Sequence, residues 1–164
     1  MKVLFLDIDG VCNCQETFIK DPNAHFPIDR YMAFMVGKIQ LDTGCKVVLS
    51  SSWRHHKEST KYINDRIVDL LDTTGYEPHD DSRPSGAANC QRGREIQAWL
   101  NKWNSKTIIS GYEGQIMNES ITAYAILDDD SDMLPEQKEN FFQTSWLTGL
   151  TEEIMNKVIK HLNK

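Results

Sequence analysis

The sequence lacks any apolar run near the ~18 residues that a membrane-spanning helix needs, and it carries no internal repeat or low-complexity tract. Neither a membrane protein nor a repeat array is therefore expected. Cysteine is sparse: Cys12, Cys14, Cys45 and Cys90 show none of the paired spacing of a zinc site. Cys12 and Cys14 could in principle share a metal, but reduced thiols of a cytoplasmic protein are the better reading. The first residues offer one lysine and a short apolar run that ends in acids, unlike a secretory leader. Positive charge is also short. With 18 Lys and Arg against 24 Asp and Glu, the net charge is −6, which argues against a broad surface for coating nucleic acid. A local basic site, or an acidic site that works through a bound cation, stays open.

What is present suits one globular domain over residues 1–164, since 40% of the residues are hydrophobic and a chain of this size can bury a core. Four stripes have helical spacing. Met32, Met35, Val36 and Ile39 form the first, with Asp29 as N-cap and Gly44 as stop. Ile63, Ile67, Leu70 and Leu71 form the second and end near Gly75. Ile96, Trp99, Leu100 and Trp103 form the third. Met155, Val158, Ile159 and Leu162 form the last, capped by Thr151. Between them lie short β-branched runs: KVLFLD at the start, KVVLSS (46–51), KTIIS (106–110), AYAILDDD (123–130) and the weaker NFFQTS (140–145). Strands of that length and composition are buried on both faces of a parallel sheet, so the expected fold is an α/β sandwich with helices on either side. Residues 11–28 and 73–91 read as irregular segments, and loops of that length are often functional.

Ligands of such sheets bind beyond the carboxyl ends of the strands, and those ends are unusual here. The first strand runs into Asp7, Asp9 and Gly10. The second ends in Ser50, Ser51 and Ser52. The strand at 123–127 ends in Asp128, Asp129 and Asp130, with Asp132 beyond. Carboxylates crowded on one edge repel unless a cation neutralises them, and oxygen-only ligands point to a hard ion, Mg²⁺ before zinc. Asp128, Asp130, Asp132 and Glu139 imitate the spacing of a calcium loop, but Met133 occupies its glycine position. Asp130 and Asp132 are better read as a solvated turn or as support for the ligands. The stretch Trp53-Arg54-His55-His56-Lys57, directly after the serines, could hold a nucleotide base or a neighbouring phosphate. For Trp53 packing is favoured, and for Arg54 solvation and phosphate contact are evenly balanced.

DIDGV, VVLSSSW and ILDDD, in that order and each after an apolar strand, resemble motifs I, II and IV of the haloacid dehalogenase (HAD) superfamily. VVLSSSWR, RGREIQAWL, ILDDDSDM and FFQTSWLTGLT further resemble the HAD domain of Swiss Army Knife RNA-repair proteins. The resemblance implies a HAD-like Rossmannoid three-layer sandwich with a mainly parallel sheet and a minimal cap. It also implies Mg²⁺-dependent phosphatase chemistry through an aspartyl-phosphate. By position, Asp7 would be the nucleophile and Asp9 the general acid/base that also lends a backbone carbonyl to the metal. Ser50 would bind the transferring phosphoryl group, and Asp128 and Asp129 would serve the metal with Asp7. Motif III supplies a cation, for which Arg92 is the first choice and Arg94 or a lysine the alternatives. Ser51, Arg54 and Arg94 are candidate substrate contacts.

The expected partner is a phosphorylated substrate, with a nucleic-acid end in first place, and with no membrane and no obligate protein partner. A nucleotidase or small-metabolite phosphatase is the enzymatic alternative. A non-catalytic binding protein is disfavoured while all four of Asp7, Asp9, Ser50 and Asp128 are present.

Overall fold

The computed structural model describes residues 1–75, 91–107 and 119–164. Five parallel strands form one sheet: β1 (Lys2–Leu6), β2 (Lys46–Leu49), β3 (Leu70–Thr73), β4 (Ala123–Asp128) and β5 (Phe141–Gln143), in the order β3-β2-β1-β4-β5. The chain starts at the sheet centre, builds outward through β2 and β3, then crosses to the other side of β1 for β4 and β5. The switch of direction falls between β1 and β4, where open parallel sheets form their ligand crevice.

Alternation along β1 explains the layers. Leu4 and Leu6 point into one core with Met35, Val36, Ile39, Met155, Val158 and Leu162. These come from α2 (Arg30–Thr43) and α5 (Glu152–Leu162). Val3 and Phe5 point into the opposite core with Ile96, Trp99 and Leu100 of α4 (Gln91–Thr107). The sheet is thus covered on both faces, as its β-branched runs demand. Phe5 meets Trp99 edge-on, with centroids 5.4 Å apart, and the tryptophan and methionine stripes do serve packing. Asp29 caps α2 by accepting from the Tyr31 and Met32 amides, and Gly44 ends it in the left-handed region at φ 66°. Thr151 caps α5 by accepting from Ile154.

Two sequence assignments fail. The stripe Ile63–Leu71 is not one helix: α3 (Lys57–Arg66) stops early, and Leu70 and Leu71 begin edge strand β3 beside β2. Asn64 accepts the Leu70 amide at 3.0 Å, which tucks the chain back into the sheet. The strand expected at 106–110 is also displaced, because α4 continues to Thr107; the rest of that run lies outside the described residues. The irregular segment 11–28 contains a short helix, α1 (Gln15–Lys20). Most of the other, residues 76–90, lies outside the described residues.

Among the described residues no helix is long and apolar enough to cross a membrane. Cys12, Cys14 and Cys45 are free and buried, and burial beside Asp7 and Asp9 pushes the Cys12 thiol up.

Candidate active site

Strand register assembles the site. Leu6 pairs with Leu49 on one side and with Leu127 on the other. The next residue of each strand, Asp7, Ser50 and Asp128, therefore stands in one row at the carboxyl edge. The row is fastened by the backbone: the Asp7 amide donates to the Leu127 carbonyl at 2.9 Å, and the Ser50 amide to the Leu6 carbonyl at 2.8 Å. Asp7, Asp128 and Asp129 each bring a carboxylate oxygen within 4.8 Å of the others. Asp129 reaches this position by packing over Gly10, where any Cβ would collide with its carboxyl and where φ is +68°. That glycine is required on both counts.

Burial decides the electrostatics. Asp128 is 1% and Asp7 5% exposed. Loss of hydration raises Asp7 to about 7 against the pull of Arg92. The same loss, with Asp7 adding repulsion, raises Asp128 to about 8. Asp129 is raised too, first by burial and then by Asp130. One oxygen of Asp128, Oδ2, accepts no hydrogen bond among the described residues; its contact is an ion pair with Arg92 Nε at 3.2 Å. The Ser50 hydroxyl is likewise buried and has no hydrogen-bond partner among the described residues. Three oxygen donors whose charge is penalised by burial, one of them with an oxygen free of hydrogen bonds, fit a hard divalent cation. Among the described cysteines, Cys12, Cys14 and Cys45 take no part in this cluster.

Arg92 is the cation at the centre. Its guanidinium lies 3.6 Å from Asp7 and 3.2 Å from Asp128, and those two carboxylates hold its proton more firmly than usual despite the opposing cost of burial. The loop after β4 seats it. Asp132 accepts the Arg92 amide through its carboxylate at 3.0 Å and the Gly93 amide through its carbonyl at 3.2 Å. Gln137 donates to the Gly93 carbonyl at 2.8 Å. At Gly93 a Cβ would lie 2.5 Å from the Leu134 amide, so glycine is what lets α4 approach. Asp132 is thus a helix cap that ties the loop after β4 to the arginine.

Asp9 sits apart from the carboxylate triad and is held at both oxygens. Asn13 Nδ2 donates to Oδ1 at 2.9 Å, and Trp53 Nε1 to Oδ2 at 3.0 Å. Asn13 is fixed in turn by the Gly10 amide at 2.9 Å and the Pro27 carbonyl at 3.0 Å. Trp53 packs on the core as expected, but its N–H adds a role that packing alone does not describe.

Arg54 is neither solvated nor free. It donates to Glu95 at 2.8 Å and to the Ser51 carbonyl at 2.9 Å, and its side chain is 7% exposed. It faces a cavity of about 250 Å³ shared with Ser52, His55, Arg92, Glu95 and Asp132. Ser51 is buried, and its side chain pulls the Asp7 carboxyl down against the larger effect of burial. Arg94 does not join Arg92 at the carboxylates; it is half-buried, and one guanidinium nitrogen has no hydrogen-bond partner among the described residues. The structure adds Asn13, Glu95 and the capping role of Asp132 to the sequence-derived residues. Glu95 carried a faint signal, a lone acid within the arginine-rich start of the helix. Asn13 carried none.

The family described as the HAD domain in Swiss Army Knife RNA repair proteins matches residues 3–155. No curated protein and no solved structure matches significantly.

Proposed function

Because the chain belongs to the HAD-domain family of Swiss Army Knife RNA repair proteins, membership that suggests phosphatase activity, we propose that it is a Mg²⁺-dependent phosphatase. It acts through an aspartyl-phosphate and removes a terminal phosphate from a nucleic-acid end. The observation that carries this reading is the buried row of Asp7 and Asp128, with Asp129 within 4.8 Å and Arg92 between the first two.

Each residue has a task. Asp7 attacks phosphorus, forming an O–P bond as the bond to the leaving oxygen breaks. Asp9 gives its proton to that oxygen, then takes one from the water that attacks the phosphorus and frees Asp7. Asn13 and Trp53 hold the Asp9 carboxylate in place between these steps. Ser50 and Arg92 bind the phosphoryl oxygens, the arginine balancing the charge gathered there. Asp7, Asp128, Asp129 and the Asp9 carbonyl would hold Mg²⁺, which when bound reduces repulsion between nucleophile and phosphate. The chain as a single domain in the cytoplasm is part of the same proposal, and so is the absence of an obligate protein partner.

A panel of phosphorylated DNA and RNA oligonucleotides, mononucleotides and sugar phosphates, assayed in Mg²⁺ and in EDTA, tests it. Terminal phosphates on oligonucleotides should be hydrolysed at least as efficiently as mononucleotides, with a preference that weakens as salt rises. A strong, salt-indifferent preference for mononucleotides would make the protein a nucleotidase instead.

A further inference from the structure

A second cavity lies against the site, and the phosphatase chemistry leaves it unused. It measures about 390 Å³ and is lined by His25, Phe26, Trp53, His55 and His56, with Ser52 and Ser59 at its polar margin. That volume is within the ~300–1,000 Å³ range of small-ligand pockets. Five of the seven lining residues carry planar rings, and three of the five histidines in the chain gather here. The rings are ordered against each other. Phe26 stacks on Tyr62 with centroids 4.4 Å apart, touches His25 at 4.4 Å and lies 6.0 Å from Trp53.

Ordinary core packing explains Phe26 against Trp53. It does not account for His55 and His56, which are exposed residues at the same opening.

Two contacts join this cavity to the reaction. Ser52 and His55 line both it and the cavity that holds Arg92. Trp53 forms its wall while its indole N–H holds Asp9. A group bound among the rings therefore lies beside the cavity that holds Arg92. Aromatic and imidazole faces stack on nucleobases, and hydroxyls and ring nitrogens meet their polar edges. We propose that this cavity is the binding site for the base of the nucleotide whose phosphate is removed. The substrate class is then a phosphate carried by a base-bearing nucleotide, at a strand end or free, rather than by a bare sugar. This rests on the phosphatase reading above.

The test compares one terminally phosphorylated oligonucleotide with the same molecule whose terminal nucleotide lacks its base. Both 3′- and 5′-phosphates are used. Stacking of one base is worth about 5- to 150-fold, so kcat/KM should fall by at least about 5-fold without the base. The ratio should shrink toward one in a His25→Ala/His55→Ala protein. Equal kcat/KM for the two substrates in the unaltered protein overturns the base site and leaves the phosphatase reading intact. If neither substrate is hydrolysed, the phosphatase reading fails, and calorimetric titration with adenosine 5′-monophosphate against ribose 5-phosphate decides the cavity alone. Tighter binding of the nucleotide by about 5-fold or more supports the base site; equal binding overturns it.

Discussion

Replacing Asp128 by Asn should make the metal-free protein more stable above neutral pH while destroying its response to Mg²⁺. Two Coulomb effects oppose each other at this position. Repulsion between Asp7 and Asp128, whose nearest oxygens lie within 4.8 Å, is about 3.5 kcal/mol at an effective dielectric of 20. Attraction to Arg92 at 3.2 Å is about 5 kcal/mol on the same basis. The net attraction left, about 1.5 kcal/mol, is smaller than the effective cost of burial, several kcal/mol per ion.

The substitution leaves Asp7 paired one-to-one with Arg92 and adds no unpaired charge. Its sign with pH follows from the raised carboxyl groups. Asp7 at about 7 and Asp128 at about 8 stand above the ordinary 3.8, so between those values the folded state holds more protons than the unfolded chain. The contribution of these two groups to stability is then greatest at acid pH and is lost as pH rises toward 8. At pH 5 both carboxyls are protonated in the folded protein, and Asp128→Asn should be nearly neutral. At pH 8.5 it should gain a few kcal/mol, with about 2–4 °C in Tm for each. Thermal unfolding followed by circular dichroism in EDTA at pH 5, 7 and 8.5 measures this, and repetition with Mg²⁺ should stabilise only the unaltered protein. A lower Tm for Asp128→Asn at pH 8.5 in EDTA, or a pH-independent difference, would refute the assignment of burial as the dominant cost.

Other consequences are equally specific. Trp53→Phe keeps a ring on the core but removes the donor to Asp9. Turnover should fall about 10-fold or more for alkyl phosphates, and less for aryl phosphates whose leaving oxygen needs no proton; equal losses would separate Trp53 from acid catalysis. Gly93→Ala drives a methyl group into the Leu134 backbone, so it should cost about 1–3 kcal/mol by chemical denaturation and reduce kcat by displacing Arg92. An unchanged denaturation midpoint would show that the helix start can yield. Arg92→Ala should impair every substrate, large or small, whereas an effect confined to oligonucleotides would place Arg92 on the polymer rather than on the reacting phosphate.

The row at the carboxyl edge was readable in the sequence because it is local. An apolar run followed by acids or serines needs only strand periodicity and a parallel sheet to bring Asp7, Ser50 and Asp128 together, and the register does so. The helix caps Asp29, Gly44 and Thr151 were readable for the same reason. Leu70 and Leu71 misled because offsets of seven and eight from Ile63 continue a helical stripe as well as they begin a short edge strand. Only pairing with β2 distinguishes the two. The groups that orient the site were hidden by sequence separation. Trp53 and Asp9 are 44 residues apart, Arg54 and Glu95 41, and Arg92 and Asp132 40. No spacing rule reaches across those distances.

Acid quenching of the protein during turnover in Mg²⁺, followed by peptide mapping, tests the central claim most directly. A phosphoryl group should be found on the peptide that carries Asp7, absent when EDTA replaces Mg²⁺, and absent together with turnover in a folded Asp7→Asn protein. Sustained turnover by Asp7→Asn, or a phosphoryl group trapped on any other residue, would contradict it.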